Sequence, residues 1–147
     1  MKDAVIAFAR AVGWGTLAGA APYMALIFVP MAFSYMADAS IFEIAVLFAY
    51  PIFLSGAMVL GSALLFGLPL TFFLSERPEE HGGIYALSGL ILGALVPVII
   101  NGMLGGPMEA EVLFFVVPGA FAGLVTGASW GRWREALNRG AGPAPRL

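Results

Sequence analysis

The chain has 147 residues, of which 61% are hydrophobic and 11% charged, whereas a soluble domain averages about 25% charged residues. This composition excludes a soluble globular protein, and four membrane spans with short links would leave no room within these residues for a separate soluble domain. The chain has no cysteine, which excludes disulfides, thiolate metal sites and cysteine nucleophiles, and its net charge of −2 says less than where the charges lie.

Four uncharged stretches follow one another along the chain, each long enough for a helix to cross the roughly 30 Å hydrocarbon core, which takes about 20 residues. They predict an all-α, polytopic membrane protein with four transmembrane helices, at residues 11–36, 44–74, 83–105 and 112–130. Because the links are short, neighbouring helices should run antiparallel, as two helical hairpins. Residues 1–138 then form one transmembrane domain, and the Gly- and Pro-rich tail 139–147 is predicted to be flexible.

The first predicted span has a second interpretation, as a cleaved signal peptide, because Ala37-Asp38-Ala39 has the small-x-small form of a cleavage site. The apolar region of a signal peptide is about 7–15 residues long, whereas residues 11–37 form an uncharged run of 27. We therefore favour a membrane span. Cleavage would leave three spans and the same location for the C-terminus.

Every predicted span contains proline, and the six positions are Pro22, Pro30, Pro51, Pro69, Pro97 and Pro118. An interior proline removes one backbone hydrogen bond and kinks a helix, which membrane helices tolerate because neighbours satisfy the freed carbonyl. Broken helices around a substrate site, as in transporters, are one interpretation. Ordinary irregularity of membrane helices is the other, and we favour it. Span two exceeds the bilayer thickness, so it is predicted to tilt or to break near Pro69.

Glycines recur at helical spacing in three of the spans. A glycine at every fourth position puts a stripe without side chains on one helix face, where a second backbone can approach closely. The stripes therefore predict tight helix–helix contacts, either inside the bundle, which we favour, or between chains. The predicted helix-packing residues are Gly15, Gly19, Gly89, Gly93, Gly119, Gly123, Gly127 and Gly131.

Basic residues are confined to one predicted side of the membrane. All seven precede span one, link spans two and three, or follow span four, as Lys2, Arg10, Arg77, Arg132, Arg134, Arg139 and Arg146. The other two links carry only acids. Cytoplasmic loops are enriched in Lys and Arg, so both termini are predicted to be cytoplasmic. In composition and topology the chain resembles small four-helix bacterial inner-membrane proteins, which implies a multi-pass protein of the inner (plasma) membrane.

Reactive side chains are scarce, because the predicted spans hold no Asp, Glu, Lys, Arg or His. Such residues mark proton relays and ion pathways in membranes. We therefore do not expect an enzyme, a proton-coupled transporter, a cofactor, a metal site or a nucleic-acid partner. The link containing Glu76, Glu79, Glu80 and His81 has the groups of a divalent-metal site, but we interpret it as a solvated, charged turn.

Five uncharged polar residues inside the spans could line a polar path, namely Asn101, Ser55, Ser62, Ser88 and Thr126. Hydrogen bonding across helices, at about 0.6–2 kcal/mol for each bond, is the commoner role of such groups. We favour that structural role.

Two functions from different classes remain. The favoured one is a non-catalytic structural or accessory component of a membrane complex or self-assembly, surrounded by the lipid bilayer and contacting a membrane-protein partner or a second copy. It depends on the small size, the glycine stripes and the lack of ionisable groups in the spans. The alternative is a small, oligomeric passive channel or carrier for a small solute, suggested by the prolines, Asn101 and the acidic outer links.

Overall fold

The computed structural model describes residues 2–35, 39–74, 81–105 and 110–140, and the structural statements below concern these ranges. They form six α-helices: α1 (Lys2–Tyr23), α2 (Val29–Tyr35), α3 (Ile41–Ser62), α4 (Leu68–Leu74), α5 (Gly82–Met103) and α6 (Ala110–Gly140). A π-helical turn at Met24–Phe28 joins α1 to α2, and a second at Ala63–Gly67 joins α3 to α4. The first two pairs are therefore continuous helical rods.

The rods and helices supply four segments long and apolar enough to cross a membrane: Lys2–Ser34, Ile41–Leu74, Gly82–Met103 and Phe114–Gly140. This confirms the prediction of an all-helical chain with four candidate spans and indicates a multi-pass membrane protein. Helices α1 and α6 extend beyond the predicted spans, to Lys2 and to Gly140. Polar residues outside the uncharged stretches still form helix there. At the end of α6, for example, Glu135 accepts a hydrogen bond from Arg139 one turn later.

The predicted flexible tail begins inside this helix. Arg139 and Gly140 belong to α6, and residues 141–147 lie outside the described ranges.

The start of α3 is set by a capping box. The Ser40 hydroxyl accepts a hydrogen bond from the Glu43 backbone N–H, and the Glu43 carboxylate accepts one from the Ser40 backbone N–H at 2.8 Å. These two bonds satisfy donors that a helix N-terminus otherwise leaves without partners. Glu43, predicted as part of an acidic outer link, thus also fixes where the second span begins.

The two π turns occur immediately before two of the prolines. The Val29 N–H donates to the Met24 carbonyl and the Leu68 N–H to the Ala63 carbonyl, each reaching back five residues instead of four. The turns end two residues before Pro30 and Pro69, which have no N–H to continue the regular pattern. Near Pro69, therefore, the second span contains one wider, π-helical turn and then continues as α4.

The four spans pack as a row. The most extensive contact is between α5 and α6, the next between α6 and α1, and then between α1 and α3, whereas α3 and α5 touch only slightly. The buried positions are mostly small, as at Ala11, Ala20, Ala63 and Ala122. Bulky apolar side chains such as Phe53, which is 80% exposed, point outward, as expected where lipid replaces water.

Candidate functional site

The contact between α5 and α6 is made by backbone against backbone. Gly82 meets Gly131, Gly89 meets Gly123, and Gly93 meets Gly119, so the two helices run in opposite directions. A Cβ atom on Gly123 would lie 2.7 Å from the carbonyl carbon of Gly89 and would overlap its oxygen. No side chain fits at Gly89, Gly93, Gly119 or Gly123, where an added Cβ would overlap backbone of the facing helix, and we call this contact the glycine seam.

Carbonyl oxygens occupy the space that side chains would otherwise fill along the glycine seam. The Gly93 oxygen lies against Gly119, and the Tyr85 oxygen lies against Gly127. This arrangement permits weak Cα–H···O contacts, worth about 0.5–1 kcal/mol each. Pro97 has no N–H to donate to the Gly93 carbonyl four residues earlier, so the proline leaves one of these oxygens available to the neighbouring helix.

A second close contact joins α1 to the adjacent face of α6. A Cβ on Gly15 would overlap the Thr126 hydroxyl and lie 3.0 Å from the Ala122 carbonyl oxygen, and a Cβ on Gly19 would lie 3.0 Å from the Ala122 side chain. Thr126 donates its hydroxyl to the Ala122 carbonyl at 2.7 Å, which fixes its rotamer. Helix α6 is thus held on two adjacent faces, by α5 and by α1.

Helix α3 joins α1 through a serine. The Ser55 hydroxyl donates to the Thr16 carbonyl oxygen at 3.0 Å, and its oxygen lies 2.6 Å from the place of a Cβ on Gly19. Gly56, the next residue, faces the Thr16 side chain at van der Waals distance. Small residues on both helices therefore bring a side-chain donor within reach of a backbone acceptor.

Aromatic residues hold α1 against α6 near both ends. At one end, the Phe8 and Trp130 rings meet edge to face at 5.9 Å, and the Trp130 indole N–H donates to the Thr71 hydroxyl of α4 at 2.9 Å. At the other end, the Tyr23 ring contacts Phe114, and its hydroxyl donates to the Phe114 carbonyl at 3.1 Å.

The Phe114 carbonyl is the one that Pro118, four residues later, cannot bind. The neighbouring helix α1 thus satisfies the acceptor that the proline frees, as is common in membrane helices.

A cavity of about 780 Å³ lies where the row of helices fails to close, between α3–α4 on one side and α5 on the other. All four spans contribute to its walls, which are overwhelmingly apolar and rich in Gly, Leu and Phe. Both π turns contribute to the lining, through Phe28 and Ala63 for example. Among the described residues that line it, none is Asp, Glu, Lys, Arg or His.

The structure separates the residues of the predicted site into two groups. The glycines lie in the contacts just described, Gly89, Gly93, Gly119, Gly123, Gly127 and Gly131 in the seam and Gly15 and Gly19 against α6. Four of the polar-path candidates, Ser55, Ser62, Asn101 and Thr126, line the cavity, and Ser88 is not part of its lining. Ser55 and Thr126 donate to backbone carbonyls. The contribution of the glycines to stability stays a prediction.

The acidic link falls largely outside the described ranges, which exclude Glu76, Glu79 and Glu80. His81 is exposed and immediately precedes α5. Within the part of the chain that the structure describes, no group of three or more His, Cys, Asp or Glu side chains comes together.

Three residues that contribute to these contacts, Thr16, Tyr23 and Thr71, were not predicted from the sequence. Thr16 follows Gly15 and Ser55 precedes Gly56, so pairs of adjacent small residues were a usable signal for the α1–α3 contact. For Tyr23 and Thr71 the sequence carries no comparable signal, since their partners lie 91 and 59 residues away.

Comparison of the chain with protein-family models, with curated proteins and with solved structures gives no match.

Proposed function

We propose that this protein is a non-catalytic accessory component of an assembly in the inner membrane, with its four spans arranged as two hairpins and both termini in the cytoplasm. The observation that carries the proposal is the open row of helices. Close contacts on α6 hold the row together, but its two end helices, α3 and α5, do not close on each other.

The outward surface of the row supports an assembly role. Helix α3 is packed mainly by α1, and its other faces present large apolar side chains such as Phe42 and Phe53, which are 77% and 80% exposed. Association of membrane helices depends on packing contacts, and a partner helix would find unpacked surface along α3. Among the described residues that line the cavity, none is Asp, Glu, Lys, Arg or His, the side chains most often used for acid–base chemistry.

Extraction from its own membrane in a mild detergent, followed by native mass spectrometry, tests the assembly. We expect a second polypeptide at fixed stoichiometry with this chain. A defined homo-oligomer would indicate that the protein assembles with itself and is not an accessory component of another complex. A monomer, seen also after chemical cross-linking in the membrane before extraction, would contradict the proposal.

The proposed orientation can be tested cleanly because the chain has no native cysteine. Single cysteines at His81 and Gly140 should be protected from a membrane-impermeant maleimide in spheroplasts, whereas one at Met103 should react. All three positions are exposed, so burial in the protein does not limit labelling. In inverted membrane vesicles the pattern should reverse, and unchanged labelling there would contradict the orientation.

A passive channel or carrier is the second candidate, favoured by one observation. Four of the five polar-path candidates, although far apart in sequence, line the same cavity. If the protein is a channel or carrier, a small solute should cross the membrane of liposomes that contain the protein faster than that of empty liposomes. The apolar character of the remaining lining weighs against it, because a hydrated solute needs polar partners along its path.

A further inference from the structure

The cavity is long as well as apolar. Its lining reaches from Phe8 and Trp130 at one end to Asn101 and Phe114 at the other. Helix α6 contributes residues from Val112 to Trp130, and at 1.5 Å per residue this corresponds to a length of about 27 Å. The cavity therefore extends along most of the hydrocarbon thickness, which is about 30 Å.

The width of the cavity distinguishes among occupants. A volume of about 780 Å³ spread over this length gives a mean cross-section of roughly 30 Å² for the centre of a water molecule, or roughly 60 Å² out to the walls once its 1.4 Å radius is added. A helix with side chains is 10–12 Å across and needs roughly 80 Å² or more. An extended hydrocarbon chain needs roughly 20 Å², because non-bonded carbon atoms approach to about 3.5–4.0 Å. The space admits an extended hydrocarbon chain with room to spare and is narrower than a helix with its side chains.

The chemistry of the lining agrees with the width. Along the middle of the cavity the walls are apolar, and two of the hydroxyls there, on Ser55 and Thr126, donate to backbone carbonyls. Ordered water needs two to four polar partners, so an apolar occupant is favoured. The amide of Asn101 and the exposed Tyr50 lie toward one end, where a polar group attached to an apolar chain would be placed.

We propose that the cavity binds a phospholipid through its extended acyl chains, with the headgroup at the end marked by Tyr50 and Asn101. The lipid is then a bound component of the fold, filling the space between α3 and α5. This inference does not depend on a partner protein, because the outward faces of the row remain uncovered when the cavity is filled.

The matched pair Gly67→Phe and Gly61→Phe tests the proposal. Gly67 lines the cavity, and a Cβ there would meet only the Ala63 side chain, at 3.9 Å. Gly61 belongs to the same rod, has open space at its Cβ and is not part of the lining. The Gly67→Phe ring can therefore enter the cavity without a backbone clash, and the Gly61→Phe ring remains outside.

Native mass spectrometry of protein purified in mild detergent from vesicles of one defined phosphatidylethanolamine gives the readout. We expect wild type and Gly61→Phe to retain one phospholipid per chain, and Gly67→Phe to show an approximately tenfold lower ratio of lipid-bound to lipid-free protein. Equal retention by the two variants, or no retained lipid on wild type, would overturn the proposal. Circular dichroism of both variants establishes that each is folded.

A photoreactive benzophenone side chain in place of Met58, which lines the cavity, provides a second measurement that does not depend on the glycine variants. After irradiation in the native membrane, we expect an adduct with the mass of a phospholipid. An adduct with a second copy of this chain or with another polypeptide would show that a protein segment fills the cavity and would overturn the lipid assignment.

Discussion

Replacing Gly123 with alanine should unfold or strongly destabilise the protein, although the change adds only one methyl group. That methyl would overlap the Gly89 carbonyl oxygen and lie 2.7 Å from the carbonyl carbon. The obstacle is backbone inside a helix, which cannot rotate away, so α5 and α6 must separate along the whole seam. We expect a loss of roughly 3 kcal/mol or more, at the upper end of the cost of overpacking, measured by SDS titration in mixed micelles.

The matched control is Gly61→Ala in α3, where the added Cβ meets nothing within 4 Å. Alanine is the better helix former by about 1 kcal/mol, so this variant should unfold at the same or a slightly higher SDS fraction than wild type. The reciprocal change Gly89→Ala should behave like Gly123→Ala, because each glycine faces the other's carbonyl. Equal stability of Gly123→Ala and Gly61→Ala would show that α5 and α6 are not held by this contact.

The spans and the glycine stripes were predictable because both are local patterns. An uncharged run long enough to cross a bilayer is visible in any window of the sequence, and a glycine at every fourth position necessarily lies on one helix face. The identity of the helix facing each stripe is not local. Gly123 meets α5, whereas the adjacent Ala122 meets Gly19 of α1, about 100 residues earlier.

The cavity could not be predicted for the same reason. It exists because α6 packs on both α5 and α1 while α3 packs on α1, which leaves α3 and α5 apart. Short links require neighbouring helices to be antiparallel but do not determine this order. The polar residues were identified from their type, yet the direction of a hydroxyl such as that of Ser55 depends on the backbone it reaches, here Thr16.

The local structure around the prolines could be predicted only in part from the sequence. Their positions predicted where helical hydrogen bonding would be interrupted. The response differs from site to site, since a π turn precedes Pro30 and Pro69, whereas at Pro118 the freed carbonyl accepts a bond from Tyr23. Each response depends on what is packed beside the helix, and this information is absent from the proline itself.

Replacing Gly15 with alanine should destabilise the α1–α6 contact, by a smaller amount than Gly123→Ala. Here the new methyl overlaps the Thr126 hydroxyl, which is the end of a side chain and can rotate. Rotation would break the bond from Thr126 to the Ala122 carbonyl, and the methyl would remain 3.0 Å from that carbonyl oxygen. We expect a loss of about 1–3 kcal/mol in the same SDS titration. The control Gly13→Ala on α1, where nothing lies within 4 Å, should be as stable as wild type or slightly more so.

A double-mutant cycle with Thr126→Ala assigns the cause of the Gly15→Ala loss. If the hydroxyl is the main obstacle, removing it should make Gly15→Ala less harmful, and the two changes should be non-additive by roughly 1 kcal/mol, as for residues in direct contact. If the stability losses of the two variants are additive, the methyl group of Gly15→Ala clashes mainly with the Ala122 backbone, which Thr126→Ala does not change. A loss in Gly13→Ala as large as that in Gly15→Ala would mean that α1 does not use its Gly15 face against α6.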